Sequence, residues 1–358
     1  MRFWDKSALI PLAHAGVFAA VLSLTSASAA FASGTVNVLY AGSLVNLMEH
    51  GIAPAFDKAS GDTFQGFAGG SSGLANQIKG KLRQDDVFVS ASPKVNSSLT
   101  GSANGNWVSW YITFAQSPLV IGYSASSKFA TDLKSKPWYE VLQEPGIRLG
   151  RTDPKLDPKG TLTLTLMKQA EAFYNSPGLS DKVLGGAENP KQVLPEETLV
   201  GRLQSGQLDV GFFHSTETVD AKIPALALPA AIGPKAIYTV TILRGAPNAD
   251  GANKFVVFLL GSIGQNVMKE HGLDLQKLTV TGDPGIVPKC ARSANDVYWE
   301  LAETAQAYRC SSAWRPSHSR NSAYSFVVSL SDTLAWPDWD GLEVAASRAV
   351  FTTLGSND

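Results

Sequence analysis

From Thr35 onward the apolar positions switch repeatedly between a strand period and a helix period. Residues 36–40 form a short β-branched and apolar run, and Leu44, Leu47, Met48, Ile52 and Phe56 then recur at close to helical spacing. This predicts a strand followed by a helix over residues 44–57. Residues 63–68 read as a second strand, leading through a Gly/Ser turn into a helix over 74–82, and residues 86–91 as a buried strand. Further strands are predicted at 119–123, 147–150, 209–213 and 237–243, and helices at 161–174, 198–205 and 254–271. Such alternation predicts an α/β fold whose sheets are mostly parallel, each flanked by helices.

The two ends depart from this pattern. Arg2 and Lys6 precede an apolar run over residues 9–24, followed by the small-residue stretch Ala27-Ser28-Ala29-Ala30-Phe31-Ala32. That order is a secretory signal, expected to be cleaved after Ala32 (residues 1–32), because the apolar part falls short of the ~20 residues of a membrane span. No Cys lies near the cleavage region, so a lipid tether is not expected there, and a freely diffusing periplasmic protein is. Residues 289–358 hold both cysteines, Cys290 and Cys310, and four tryptophans, Trp299, Trp314, Trp336 and Trp339, without a clear period. The tail reads either as a small subdomain closed by a Cys290–Cys310 disulfide or as a segment of little evolved structure.

Composition narrows the function classes. A length of 358 residues suits two compact domains. With 30 Lys+Arg against 31 Asp+Glu, the chain lacks the positive excess of a protein that coats nucleic acid. Two Cys exclude a disulfide framework and a cysteine-based zinc module.

Four loop motifs can carry chemistry. Ala41-Gly42-Ser43-Leu44 lies at a strand-to-helix turn, where Ser43 is either a helix cap or part of an anion site made with free backbone N–H groups. Gly69-Gly70-Ser71-Ser72-Gly73 repeats the arrangement, with glycines that let a ligand approach the backbone. It also matches the G-x-S-x-G elbow of serine hydrolases, with Asp209, His214 and His271 as partners, although too little chain precedes Ser71 to build the hydrolase sheet. In Asp153-Pro154-Lys155-Leu156-Asp157-Pro158-Lys159-Gly160, Asp157 followed by Pro158 is a normal helix start. Glu196 and Glu197 fall in a first helical turn in the same way. His214 closes a strand, at the edge where α/β ligand sites form.

Taken in order with Asp86-Val87-Phe88-Val89-Ser90-Ala91-Ser92, Asn106-Trp107, residues 117–123 and residues 203–209, these motifs resemble the molybdate/tungstate-binding proteins of ABC importers, most closely their tungstate-binding branch. The resemblance runs from about Val36 to Pro288. It implies a two-lobed periplasmic-binding-protein fold of type II, with lobe one from residues 33–118 and 239–288 and lobe two from 119–238. It implies a non-enzymatic monomer, without a cofactor or a nucleic-acid partner, that captures a small oxyanion and hands it to a membrane permease. In the family, the positions matching Ser43 and Ser71, with Ser72 and backbone N–H groups beside them, hold the oxyanion. Those matching Asp157 and Glu196 bond to its metal centre, Glu197 being the choice if the alignment slips by one.

The chemistry is consistent with that implication. A carboxylate ~4 Å from an oxyanion repels it by roughly 4 kcal/mol per charge pair at an effective dielectric of 20, so acids oppose plain sulfate or phosphate. Mo(VI) or W(VI) accepts carboxylate oxygens, which turns repulsion into a bond and rejects the competitors. No Lys or Arg is needed for charge balance, and Lys159 can contribute. His214 stands where the molybdate-type branch has Tyr; its imidazole can donate to the oxyanion, and a charged form would make binding pH-sensitive near neutrality.

Overall fold

A computed structural model describes residues 34–288. The expected signal at residues 1–32 and the tail from 289, with Cys290 and Cys310, lie outside the described residues. Nine strands occur among the described residues: β1 (Thr35–Ala41), β2 (Thr63–Gly69), β3 (Val87–Ser90), β4 (Trp110–Tyr123), β5 (Leu149–Gly150), β6 (Val210–His214), β7 (Ala225–Ala227), β8 (Lys235–Ile242) and β9 (Asp274–Gly282). Their order is β2-β1-β3-β8-β4-β6-β5, with β7 and β9 also paired to β4.

The α/β class agrees with the sequence, but strand direction does not follow the mostly parallel expectation. β1 runs parallel to β2 and β3, and β5 to β6, whereas β4 is antiparallel to β6, β7, β8 and β9, and β3 is antiparallel to β8. The cause is chain routing. β4 carries the chain out of the first sheet and β8 brings it back alongside, so the pair must run in opposite directions.

β4 joins the two parts of this arrangement. Its residues Trp110 to Pro118 pair with β8 and β9, and from Leu119 its partners are β6 and β7. Pro118, which has no N–H to give to a ladder, stands where the strand changes partners. Two main apolar cores result. One packs Val36, Val38, Leu44, Phe56, Val89, Ile112, Tyr238 and Phe255, and the other packs Leu119, Ile121, Trp138, Leu166, Met167, Val210 and Phe212. Leu162 packs against both.

Helices depart from expectation at two places. The predicted helix 44–57 is a 3-10 turn at Gly42–Leu44, a π-helical stretch at Leu47–Ile52 and an α-helix at Ala53–Ser60. The predicted helix 254–271 is two helices, Ala249–Leu260 and Ser262–Glu270, broken at Gly261, whose ψ of 177° leaves the helical region. Among the described residues no helix is long and apolar enough to cross a membrane.

Candidate ligand-binding site

Both Ser-bearing loops lie at carboxyl ends of strands of the first sheet. Ser43 follows β1 in the turn Gly42–Leu44, and its hydroxyl shares a 3.0 Å hydrogen bond with the Tyr238 hydroxyl of β8. Ser71 opens the helix Ser71–Lys79 after β2, is fully buried, and its Oγ accepts the Ala91 N–H at 3.1 Å. Ser72 follows on the same turn and is half-buried.

The two acids come from the other side. Asp157 caps the helix Pro158–Phe173, with Oδ1 accepting the Lys159 N–H at 2.5 Å, so the structural role read from the sequence is real. Its second oxygen is free for another role: Oδ2 is buried and has no hydrogen-bond partner. Glu196 opens the turn Glu196–Thr198 and is buried, its carboxyl beside that of Asp157 and ion-paired with Lys159 at 3.3 Å without a close hydrogen bond. Glu197 is exposed, so it is Glu196 that points inward. Burial drives the Asp157 carboxyl above its usual range, and burial followed by the nearby Asp157 drives Glu196 well above its own.

Each acid is seated on a glycine beside one of the serines. A Cβ on Gly42 would come within 2.8 Å of Glu196 Oε2, and one on Gly70 within 2.5 Å of the Leu156 carbonyl oxygen and 3.0 Å of the Asp157 Cβ. A Gly73 N–H to Leu156 O bond at 2.8 Å ties the second contact together. The absence of side chains at Gly42 and Gly70 is therefore what lets the acid-bearing loops close onto the serine-bearing loops.

Around this set lie Lys159, which the sequence left as an optional contributor, and Glu217 and Tyr238, which it did not single out. Lys159 is wholly buried, with Nζ 2.8 and 2.9 Å from the two oxygens of Glu217 and 3.3 Å from Glu196 Oε1. Burial alone would lower the Lys159 ammonium, but Glu217, Glu196 and Asp157 outweigh it and hold the charge firmly. Glu217 also accepts the His214 N–H at 2.7 Å. In the sequence Glu217 is one more acid in a first helical turn, and nothing in its spacing to Lys159 marks the pair. Tyr238 reads as an ordinary strand residue, although its hydroxyl meets Ser43.

His214 ends β6, fully buried, with its ring 6.2 Å from that of Tyr238 and both ring nitrogens unpartnered. Burial, reinforced by Lys159, holds its pKa well below the usual value. The imidazole is thus neutral near pH 7 and offers one donor and one acceptor.

The hydrolase constellation is not assembled. Asp209 is held by Arg148 Nε and Nη2 at 2.8 Å each and by Ser127 Oγ at 2.8 Å, and His271 pairs with Asp220 at 2.7 Å. The His214 ring makes no hydrogen bond to Ser71, whose hydroxyl accepts the Ala91 N–H.

A two-lobed α/β cleft closed by loops from both sides defines a periplasmic-binding-protein fold. The chain is similar to the periplasmic molybdate-binding protein of Azotobacter vinelandii at a TM-score of 0.55 and 21% identity, over 68% of this chain and 100% of that one, a likeness of fold. The chain belongs to the bacterial extracellular solute-binding proteins, whose family model matches residues 36–274. Among its relatives, a putative ABC transporter molybdenum-binding protein of Haloferax volcanii is 31% identical over 199 residues, 55% of this chain and 61% of that protein. The molybdate/tungstate-binding protein WtpA of Pyrococcus abyssi is 26% identical over 259 residues, 59% of this chain and 74% of that protein.

Proposed function

We propose that this chain captures molybdate or tungstate outside the cytoplasm, after removal of a signal at residues 1–32, and delivers it to the permease of an ABC importer. The observation that carries this reading is the pair of buried carboxyls, Asp157 and Glu196, which interact with each other and are seated on Gly70 and Gly42, next in sequence to Ser71 and Ser43. Two buried acids side by side, served only by the Lys159 N–H and a share of its ammonium, are costly unless a ligand bonds to them. A cation fits the charge of the acids but not the hydroxyls, the helix start at Ser71 and the Lys159 ammonium nearby. A plain tetrahedral anion fits the hydroxyls but is repelled by the acids. A tetraoxyanion with a coordinatively expandable metal centre suits both, taking hydrogen bonds on its oxygens and carboxylate bonds at its metal. His214 adds a donor, and closure of the two sides by hinge motion about β4 and β8 sequesters the ligand.

Titration calorimetry with tungstate, molybdate, sulfate and phosphate tests this on the full chain and on an Asp157→Ala, Glu196→Ala variant. The expected result is tight binding of the first two alone, weakened at least tenfold in the variant. No binding of tungstate or molybdate by the unaltered chain would overturn the reading.

A further inference from the structure

Two buried charged side chains, Lys159 and Glu217, form a pair to which the binding reading gives no role, although the Lys159 ammonium lies beside the site. Lys159 reaches toward two carboxylates and engages them unequally. Both oxygens of Glu217 take hydrogen bonds from Nζ, at 2.8 and 2.9 Å, whereas Glu196 Oε1 stands 3.3 Å away without a hydrogen bond. Glu217 is itself fixed, because it lies in the first turn of the helix Ser215–Asp220 and reaches back to accept the His214 N–H at 2.7 Å. The cation is therefore shared unequally, hydrogen-bonded to both oxygens of Glu217 and more loosely ion-paired with Glu196.

Lys159 already pairs with Glu196 at 3.3 Å, and a buried ammonium released by Glu217 would tighten that contact into a close, hydrogen-bonded pair. That would occupy the oxygens a metal centre needs and make the site less hostile to plain anions. We propose that Glu217 is a positioning residue that draws Lys159 off Glu196, leaving their pair at 3.3 Å and Glu196 open to coordinate the ligand's metal, and so setting the preference for tungstate over sulfate. This rests on the oxyanion reading above and goes beyond it by assigning selectivity to a pair that touches no ligand.

Glu217→Gln tests it, since the amide oxygen still accepts the His214 N–H while the carboxylate that holds Lys159 is gone. Tungstate affinity is expected to fall at least tenfold, sulfate binding to rise, and the second change Lys159→Met, in the double variant, to recover most of the lost tungstate affinity. A purely structural role would lower folding stability without raising sulfate binding, and the second change would restore nothing. Unmoved tungstate and sulfate affinities in a folded Glu217→Gln protein would overturn the proposal, as would a double variant that binds no better than the single one. If Glu217→Gln does not fold, the double variant decides: tungstate binding within tenfold of the unaltered chain supports the proposal, and undetectable binding overturns it. An unaltered chain that binds no tungstate sinks the oxyanion reading itself, an outcome distinct from failure of the pair.

Discussion

A buried imidazole with no hydrogen-bond partner ties the stability of this chain to pH through a single residue. In the unfolded chain the His214 ring titrates near its ordinary value of about 6.5. In the native state desolvation, and then Lys159, hold its pKa far below that. As pH falls through 6.5 the unfolded chain therefore takes up a proton that the native chain refuses, and native stability declines. Asp157, Glu196 and Glu217 act with the opposite sign. Their raised pKa values mean that lowering the pH toward 4 relieves the native state, so the His214 contribution has to be isolated by difference. His214→Phe removes both unpartnered nitrogens, and its thermal midpoint is expected to exceed that of the unaltered chain by more at pH 5.5 than at pH 7.5. An equal difference at both pH values would show that His214 does not titrate in the way its burial requires. The same shift bears on function: a neutral His214 adds no pH dependence of its own to oxyanion affinity between pH 6.5 and 8, so any dependence measured there belongs to the raised carboxyls of Asp157 and Glu196.

At the scale of elements, the helix Pro158–Phe173 performs two tasks through one residue, and substitution can separate them. Asp157→Asn keeps an oxygen for the cap on the Lys159 N–H but loses the carboxylate, whereas Asp157→Ala loses both. Both variants are expected to lose tungstate affinity at least tenfold, and only the alanine variant to lose about 1 kcal/mol of stability, about 2–4 °C in midpoint. Calorimetry together with thermal melts reads the two effects. Most elements were legible from periodicity, including β1, β2, β3, β6 and β8. The first part of β4, from Trp110 to Pro118, was not, because Pro118 breaks the pattern and its role becomes clear only when the change of partners is seen. β9 escaped because its face is largely exposed and its alternation weak. The acids were visible as residues but ambiguous as chemistry: Asp157 reads as a cap because it is one, and only motif order singled out its second role. The Lys159–Glu217 pair and the Tyr238 hydroxyl were invisible, since each depends on contacts between segments far apart in sequence.

For the whole molecule, closure depends on two places where backbone meets side chain with no room to spare. Gly70→Ala would place a methyl group 2.5 Å from the Leu156 carbonyl oxygen, a backbone atom that cannot turn aside. Gly70 itself has an extended φ of −61°, so alanine is tolerated locally and the penalty falls on closure alone. The expected result is a tungstate affinity at least tenfold lower with a midpoint in the absence of ligand within about 2 °C of the unaltered chain, together with a smaller ligand-induced contraction in solution scattering. An unchanged affinity would mean that the loops carrying Gly70 and Asp157 need not meet for binding. The routing of β4 and β8 has a further consequence for how this chain can be taken apart. Pro118 and Lys235 are register partners, and the Leu119 N–H bonds to the Pro234 carbonyl, so the long stretch between them departs and returns at one spot. A module whose two ends meet can be cut out and the gap sealed by a tight turn with little loop-closure entropy to overcome. The sheet of β1, β2, β3, β8 and β9, with its own core, is expected to survive such surgery as an autonomous body, and the excised stretch to be exchangeable for that of a relative, carrying the acids, and with them ligand preference, as a transplantable half.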